Sequence, residues 1–309
     1  MNAPAKTPVI IAHRGASGYL PEHSLAAKAL AHGLGADYLE QDVVASRDGE
    51  LLILHDVWLD DVSNVAARFA GRSRADGRHY CMDFDLEEIR SLQFGERINP
   101  DTGIEKFPGR FSRQAGSFKV VTLDEEIRFI HGLNASTGRN VGIYPEIKAP
   151  QWHMEQGIDL AALLIDALEV HGYLQQGSRI YLQCFDAETL SRIRQRIGPV
   201  LPIIQLLSSS TKVDTKLLQD IAGYANGIGP SMKLIMCGTQ PDGSYDLSGL
   251  VSSAQSLGLE VHPYTFRIDQ MPDGCDNFDA LLRLFITELG VDGLFTDFTD
   301  QVAQFIRNA

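Results

Sequence analysis

Charged side chains recur in pairs near the ends of short apolar runs in this 309-residue chain. Glu40 and Asp42 lie two residues apart in one such run, and Glu146 and Lys148 have the same spacing in a later one. Residues two apart on a β-strand point to the same face. Each pair therefore presents two charged groups to one side of a sheet.

The three carboxylates among these residues predict a site for one divalent cation, Ca²⁺ or Mg²⁺. Carboxylates that share a cavity repel each other unless a cation neutralises them, and all-oxygen ligands suit these ions better than zinc. Arg14 and Lys148 beside such an ion would favour a phosphoryl group. His13 and His55 could then act as general base and general acid near neutral pH. Together the residues indicate phosphoester cleavage.

An alternation of eight strands and eight helices predicts the framework that holds these groups. The predicted strands cover 9–13, 38–43, 141–148, 180–184, 203–207, 227–229, 261–265 and 293–296. The predicted helices cover 24–33, 122–132, 158–170, 186–197, 216–224, 250–256, 280–289 and 301–306. Such alternation implies an α/β fold with a parallel sheet, and eight repeats suggest a closed (β/α)8 TIM barrel. An open doubly wound sheet is the alternative, although no strand is followed by Gly-x-Gly-x-x-Gly.

A ninth strand, 51–55, follows the second strand too closely for a parallel crossover. The intervening Asp-Gly is a hairpin signal, and a hairpin about it would pair Arg47 with Glu50 and Asp42 with His55. Opposed residues share a face of the ribbon, so this pairing would return His55 to the carboxylates. Active sites of such barrels lie at the C-terminal ends of the strands.

The segment 56–117 is irregular and rich in Gly, Arg and Asp, and we predict that it forms an insertion subdomain in the second βα loop. It would cover the barrel mouth within a single catalytic domain, 1–309. Phe185 and Tyr264 lie near strand ends and are assigned to an apolar wall that contacts the substrate, although core packing is the favoured interpretation of Phe185. The other histidines are interpreted as structural: His23, His32, His79, His131, His153, His171 and His262.

Composition restricts the partners and the compartment. With 27 Lys+Arg against 40 Asp+Glu, the net charge of −13 disfavours nucleic-acid binding. No apolar run approaches the 18 or more residues that a membrane span needs. The apolar run 9–12 is too short for a signal peptide, so we expect a cytoplasmic protein, or a periplasmic one if a signal has been removed. The sequence leaves the oligomeric state open.

The four cysteines lack Cys-x-x-Cys spacing, which disfavours a zinc site. We expect free thiols, or one disulfide if the protein is exported. The cysteines are Cys81, Cys184, Cys237 and Cys275.

The chain resembles the glycerophosphodiester phosphodiesterases, most closely their long bacterial branch, which is typically periplasmic. The resemblance runs from Val9 to the C-terminus. It rests chiefly on the stretches Ile11–Ser24 (IAHRGASGYLPEHS), Ala36–Asp42 (ADYLEQD), Leu54–Asp56 (LHD) and Tyr144–Lys148 (YPEIK). It implies a (β/α)8 barrel with an insertion after the His-Asp pair, in agreement with the strand count.

The resemblance also implies roles for individual residues. The metal ligands would be Glu40, Asp42 and Glu146, the catalytic histidines His13 and His55, and the phosphate contacts Arg14 and Lys148. The implied reaction is hydrolysis of a soluble glycerophosphodiester, a small molecule, to an alcohol and sn-glycerol 3-phosphate.

Two other functions remain as alternatives. A phospholipase C- or D-like barrel acting on a membrane phospholipid is disfavoured by the negative charge and the lack of an amphipathic anchor. An inactive glycerophosphodiester-binding module is disfavoured by the complete set of histidines and carboxylates.

Overall fold

Eight parallel strands form a nearly closed barrel in the computed structural model, which describes residues 7–240, 245–275 and 277–308. The strands are β1 (Val9–Ala12), β2 (Tyr38–Ala45), β3 (Leu51–Ile53), β4 (Gly142–Ile147), β5 (Leu182–Cys184), β6 (Ile203–Leu207), β7 (Gly227–Pro230), β8 (Met236–Thr239), β9 (Tyr245–Leu247), β10 (Glu260–Val261) and β11 (Gly293–Thr296). The barrel order is β10-β7-β6-β5-β4-β2-β1-β11. Hydrogen bonds of 3.1 Å from Asp292 N to Val261 O and from Phe295 N to Pro263 O join its two ends. The predicted (β/α)8 fold is confirmed.

Helices follow the barrel strands as the periodicity predicted. They are α1 (Leu25–Leu34), α2 (Val65–Arg68), α3 (Leu86–Arg90), α4 (Leu123–Thr137), α5 (Pro150–Glu155), α6 (Leu160–Val170), α7 (Ala187–Ile197), α8 (Thr215–Ala222), α9 (Leu250–Ser256), α10 (Phe278–Leu282) and α11 (Thr299–Asn308). A π-helical turn, Arg283–Glu288, continues α10. No helix among the described residues has both the length and the apolar character needed to cross a bilayer.

The predicted capping box opens α4: Thr122 Oγ1 accepts from Glu125 N, and Glu125 Oε2 accepts from Thr122 N. The predicted end of this helix near Gly132 is wrong, because α4 continues for another turn. It stops where Gly138 adopts a left-handed φ of 70°, a conformation that suits glycine at a helix end.

The hairpin between β2 and β3 exists, but its predicted register is wrong by one residue. Ala45 pairs with Leu51, and Val43 pairs with Ile53. The turn has three residues rather than two, because Ser46 N bonds to Glu50 O and Gly49 adopts a φ of 81°. A one-residue shift reverses the faces of a strand. His55 can still approach the carboxylates because β3 ends at Ile53, beyond which strand alternation no longer sets side-chain direction.

Aromatic side chains fill the inside of the barrel beneath the carboxylates. A buried cluster contains Tyr38 of β2, Tyr144 of β4 and Phe295 of β11, with Tyr38 and Tyr144 packed edge to face. Tyr38 shares a strand face with Glu40 and Asp42, as Tyr144 does with Glu146. The carboxylates therefore lie next to this buried aromatic layer, on its side nearer the C-terminal ends of the strands.

Two further features lie outside the repeating pattern. β8 and β9 form an antiparallel pair between β7 and α9 that was not predicted. The segment between β3 and α4 contains α2, α3 and isolated bridges such as Trp58–Tyr80 and Phe94–Phe118. Its interpretation as an insertion subdomain with the bounds 56–117 stays a prediction.

Candidate active site

A cavity of about 490 Å³ lies at the C-terminal ends of the barrel strands. Seven of the nine candidate site residues line it: His13, Arg14, Glu40, Asp42, Glu146, Phe185 and Tyr264. The remaining two, His55 and Lys148, are not part of its lining but lie near Asp42. Lys148 Nζ is 2.8 Å from Glu146 Oε1 and 3.4 Å from Asp42 Oδ1. The barrel thus gathers residues that are far apart in the sequence.

The three carboxylates are buried side by side, and their charges interact strongly. Burial and the neighbouring Asp42 raise the pKa of Glu40 well above its ordinary value. Burial also raises the pKa of Glu146 to about 7, against the opposing effect of Lys148. Burial alone would raise the pKa of Asp42, but Lys148, His55 and Arg14 hold it well below its usual range. Negative charge on these buried carboxylates is therefore favourable only where a positive group neutralises it, as Lys148 and Arg14 do beside Asp42.

The donor set fits a hard divalent cation. His23, Glu40 and Asp42 each offer one ligand atom, and these three atoms lie within 4.8 Å of one another. Asp42 Oδ1 is buried and has no hydrogen-bond partner in the described part of the chain. The carboxylate oxygens of Glu40 and Asp42 are the kind of ligand that Ca²⁺ and Mg²⁺ prefer, whereas His23 would contribute a nitrogen. Glu146 is outside this close group, although it lines the same cavity.

His23 is a site residue that the sequence reasoning missed. Its Nε2 is 2.8 Å from Asp42 Oδ2, its side chain is buried, and its backbone has a left-handed φ of 61°. The available signal was position: His23 immediately precedes Ser24, which caps α1, and so lies in the first βα loop. Such loops build the active sites of (β/α)8 barrels.

Asp297, just after β11, binds His13. His13 Nδ1 is 2.7 Å from Asp297 Oδ1, while Arg267 Nε and Arg110 Nη2 lie 2.6 and 2.8 Å from the other carboxylate oxygen. Burial alone would raise the pKa of Asp297, but Arg267, His13 and Arg110 hold it below its ordinary value. Burial and Arg14 in turn lower the pKa of His13 to about 3, against the effect of Asp297.

His55 has the same arrangement with a different carboxylate. Its Nδ1 is 2.8 Å from Asp56 Oδ1, and its side chain is about one-third exposed. Burial, Arg14 and Lys148 lower the pKa of His55 to about 4. An ionised carboxylate can only accept hydrogen bonds, so each neutral histidine donates from Nδ1 and keeps a lone pair on Nε2. Both rings are therefore in the tautomer whose Nε2 can accept a proton.

Phe185 and Tyr264 form an aromatic edge of the cavity. Their rings meet edge to face at 6.1 Å, and Tyr264 Oη donates to Leu207 O. The favoured interpretation of Phe185 as a core residue is wrong, because its side chain is 45% exposed. This edge adds apolar surface to the lining of the cavity.

Each of the other histidines that we interpreted as structural has a partner other than Glu40, Asp42 and Glu146. His32 pairs with Asn134, His79 with Asp60, His131 with Tyr173, His153 with Ala149 O, His171 with Asp124 and His262 with Tyr144. The four cysteines are free thiols, of which Cys81 and Cys184 are buried.

Comparisons with known proteins identify the family of the chain. The model of the glycerophosphoryl diester phosphodiesterase family matches residues 13–301. A glycerophosphodiester phosphodiesterase of Haemophilus influenzae is 37% identical, across 97% of this chain and 90% of the relative. Another, from Treponema pallidum, is 34% identical, across 96% of this chain and 91% of the relative.

Solved structures have the same fold. A glycerophosphodiester phosphodiesterase from Agrobacterium tumefaciens has a TM-score of 0.63 at 22% identity, covering 96% of this chain and 99% of its own. A phosphodiesterase from Oleispira antarctica, solved with the product sn-glycerol-3-phosphate, has a TM-score of 0.66 at 22% identity, covering 97% of both chains. The family match spans nearly the whole sequence and two relatives share more than a third of their aligned residues with it, so the chain belongs to the glycerophosphoryl diester phosphodiesterase family of enzymes.

Proposed function

We propose that this enzyme hydrolyses soluble glycerophosphodiesters to an alcohol and sn-glycerol 3-phosphate, with the help of one divalent cation. The observation that carries the proposal is a single cavity that joins three buried carboxylates, an arginine and a histidine held by a carboxylate, with a second such histidine nearby. The names of the relatives and the product bound to the Oleispira antarctica protein support the substrate class.

Glu40, Asp42 and Glu146 would hold the cation, with His23 as a further ligand or as the partner that orients Asp42. Arg14 donates its backbone N–H to Glu40 Oε2 at 2.6 Å, so strand β2 and the first βα loop are tied at this point. A bound divalent cation would polarise the phosphoryl oxygens and neutralise the charge that develops during attack. Which ion the enzyme uses, Ca²⁺ or Mg²⁺, is for metal titration to decide.

Cationic side chains and the aromatic edge would orient the two ends of the substrate. The guanidinium of Arg14 and the ammonium of Lys148 provide positive charge for the phosphodiester. Phe185 and Tyr264 would contact the alcohol portion, because they supply apolar surface to the same cavity.

His13 and His55 would move the protons. One accepts the proton of the attacking oxygen at Nε2. The other takes up a proton when the anionic phosphodiester binds beside it, and gives that proton to the departing alkoxide. A phosphorus–oxygen bond forms to the attacker while the bond to the alcohol oxygen breaks. The attacker is water, or the neighbouring glycerol hydroxyl with a cyclic phosphate that water then opens.

Incubation with glycerophosphocholine, with and without chelator, tests the proposal. Glycerol 3-phosphate release is followed with a coupled dehydrogenase, and His13→Gln serves as the inactive control. We expect release that stops with chelator and returns when Mg²⁺ or Ca²⁺ is restored. No release with either ion, or cleavage of phospholipid vesicles in place of glycerophosphocholine, would refute the proposal.

A further inference from the structure

Arg97, in the segment between β3 and α4, forms ion pairs with Glu22, Asp56 and Asp61, and the first two of these carboxylates hold candidate site residues. Its Nη1 is 2.5 Å from Asp56 Oδ2, while the other oxygen of Asp56 accepts from His55. Its Nη2 and Nε bind the two oxygens of Glu22 at 2.6 and 3.1 Å. The guanidinium of Arg97 therefore bridges Asp56, which binds His55, and Glu22, which lies in the first βα loop.

Glu22 connects Arg97 to the cationic side of the cavity. Glu22 Oε2 accepts from Arg14 Nη1 at 3.0 Å, and Arg14 itself lines the cavity beside Asp42. The chain of contacts therefore runs from His55 through Asp56, Arg97 and Glu22 to Arg14. It connects a proposed proton-transfer group with a proposed phosphate-binding group.

The contacts of Arg97 are buried, which makes its charge matter. The Arg97 side chain is 6% exposed and those of Glu22 and Asp56 are 12% and 14% exposed. A buried carboxylate stays ionised only when paired. In the described part of the chain, Arg97 alone among the arginines and lysines lies within ion-pair distance of Asp56. Asp297, the carboxylate that binds His13, has two such partners, Arg110 and Arg267.

We propose that Arg97 is a positioning residue that keeps Asp56 ionised, so that His55 stays in the Nδ1-protonated tautomer with Nε2 ready to accept a proton. The proposal rests on the proposed function for the role of His55. The guanidinium of Arg97 also holds Glu22 in place, and Glu22 in turn holds Arg14. Arg97 thereby influences catalysis through His55 and Arg14.

The first test compares Arg97→Met, Arg97→Lys and Arg74→Met by steady-state kinetics. Arg74 is the matched control, since it makes a two-pronged ion pair with Asp83 in the same segment. We expect Arg97→Met to lower kcat roughly 10–100-fold, the usual effect of losing a residue that orients an active-site group. Arg97→Lys should retain an intermediate kcat, because an ammonium keeps the charge but cannot bridge both carboxylates. Arg74→Met should keep the wild-type kcat.

The second test reads the histidine tautomers without substrate. In ¹⁵N-histidine NMR spectra assigned with His13→Gln and His55→Gln, Arg97→Met should change the ring-nitrogen signals of His55 and leave those of His13 unchanged. Asp56→Asn should change the same signals. The double variant Arg97→Met/Asp56→Asn should lose less kcat than the product of the two single effects, because both changes act on His55 through the same carboxylate.

Two results would overturn the proposal: a wild-type kcat for Arg97→Met, or His55 signals that do not move in it. If Arg97→Met does not fold, the neutral but polar variant Arg97→Gln replaces it, and wild-type kcat and His55 signals in Arg97→Gln would overturn the proposal equally. Because the spectra need no substrate, a wild-type protein that releases no glycerol 3-phosphate refutes the proposed function and leaves the role of Arg97 to be judged from the spectra.

Discussion

At the scale of single residues, burial determines how the site is charged. It lowers the pKa of His13 and His55 to about 3 and about 4, so both rings are neutral near pH 7. A neutral imidazole can accept a proton, whereas an imidazolium cannot. The carboxylates on their Nδ1 atoms then decide which nitrogen faces the chemistry.

Replacing either histidine with glutamine should lower kcat by roughly 10²–10⁴-fold, the usual contribution of general acid–base catalysis. His131→Gln is the matched control, since His131 of α4 bonds to Tyr173 in the loop after α6. The coupled assay measures kcat, and circular dichroism checks the fold. Wild-type turnover in His13→Gln or His55→Gln would contradict the assignment.

His23→Gln should weaken divalent-cation binding by roughly 10–100-fold, because the imidazole either binds the ion or orients Asp42. Calorimetric titration of the chelator-treated protein with Mg²⁺ and with Ca²⁺ gives the affinity. His32→Gln, a buried histidine of α1 bonded to Asn134, should bind as the wild type does. Equal affinity in His23→Gln would exclude His23 from the metal site.

At the scale of elements, a buried ion pair between Lys28 and Glu126 supports strand β2. Lys28 of α1 is fully buried, with Nζ 2.8 Å from Glu126 Oε1 of α4 and donating to the Glu40 carbonyl. Gln41 also donates to Glu126, and Gln41 Oε1 accepts from Tyr144 N of β4. These contacts lie on the opposite face of β2 from the carboxylates and hold Glu40 in place.

Lys28→Met should reduce the free energy of unfolding by about 3–5 kcal/mol, since it leaves a buried carboxylate without its cation. The double variant Lys28→Met/Glu126→Gln should lose less than the sum of the two single changes. Urea denaturation of the three variants measures this coupling. Additive losses would mean that the pair does not act as a unit.

At the scale of the whole molecule, the neutral histidines link stability to pH. Their folded-state pKa values lie below the value near 6.5 of an unfolded chain, so the unfolded state binds more protons between about pH 4 and 6.5. Their contribution to stability is therefore complete above pH 6.5 and is lost as pH falls. Glu40 and Glu146, whose pKa values are raised, act in the opposite direction.

The contribution of His13 can be isolated by difference. Between pH 4.5 and 6.5 the free energy of unfolding of the wild type should change relative to that of His13→Gln by up to about 1.4 kcal/mol per pH unit, rising with pH. Urea midpoints in the presence of chelator provide the measurement. Parallel pH profiles for the two proteins would show that His13 is not buried in its neutral form.

The sequence by itself determined the barrel and most of the candidate site. Alternating strands and helices can close into few architectures, and charged pairs at i and i+2 on a strand must share a face, so Glu40 with Asp42 could be assigned from spacing alone. The capping box of α4 was equally readable, because its two hydrogen bonds join residues three apart. These are local or periodic properties of the chain.

Only the tertiary structure decided which distant groups became partners. Asp297 meets His13 because β11 pairs with β1, and Arg97 meets Asp56 and Glu22 only when the segment after β3 folds back over the barrel. The hairpin register depended on one left-handed residue, Gly49, which changed the turn length. Contacts between residues tens or hundreds of positions apart leave no periodic trace in a single sequence, so the supports of the site became visible only in three dimensions.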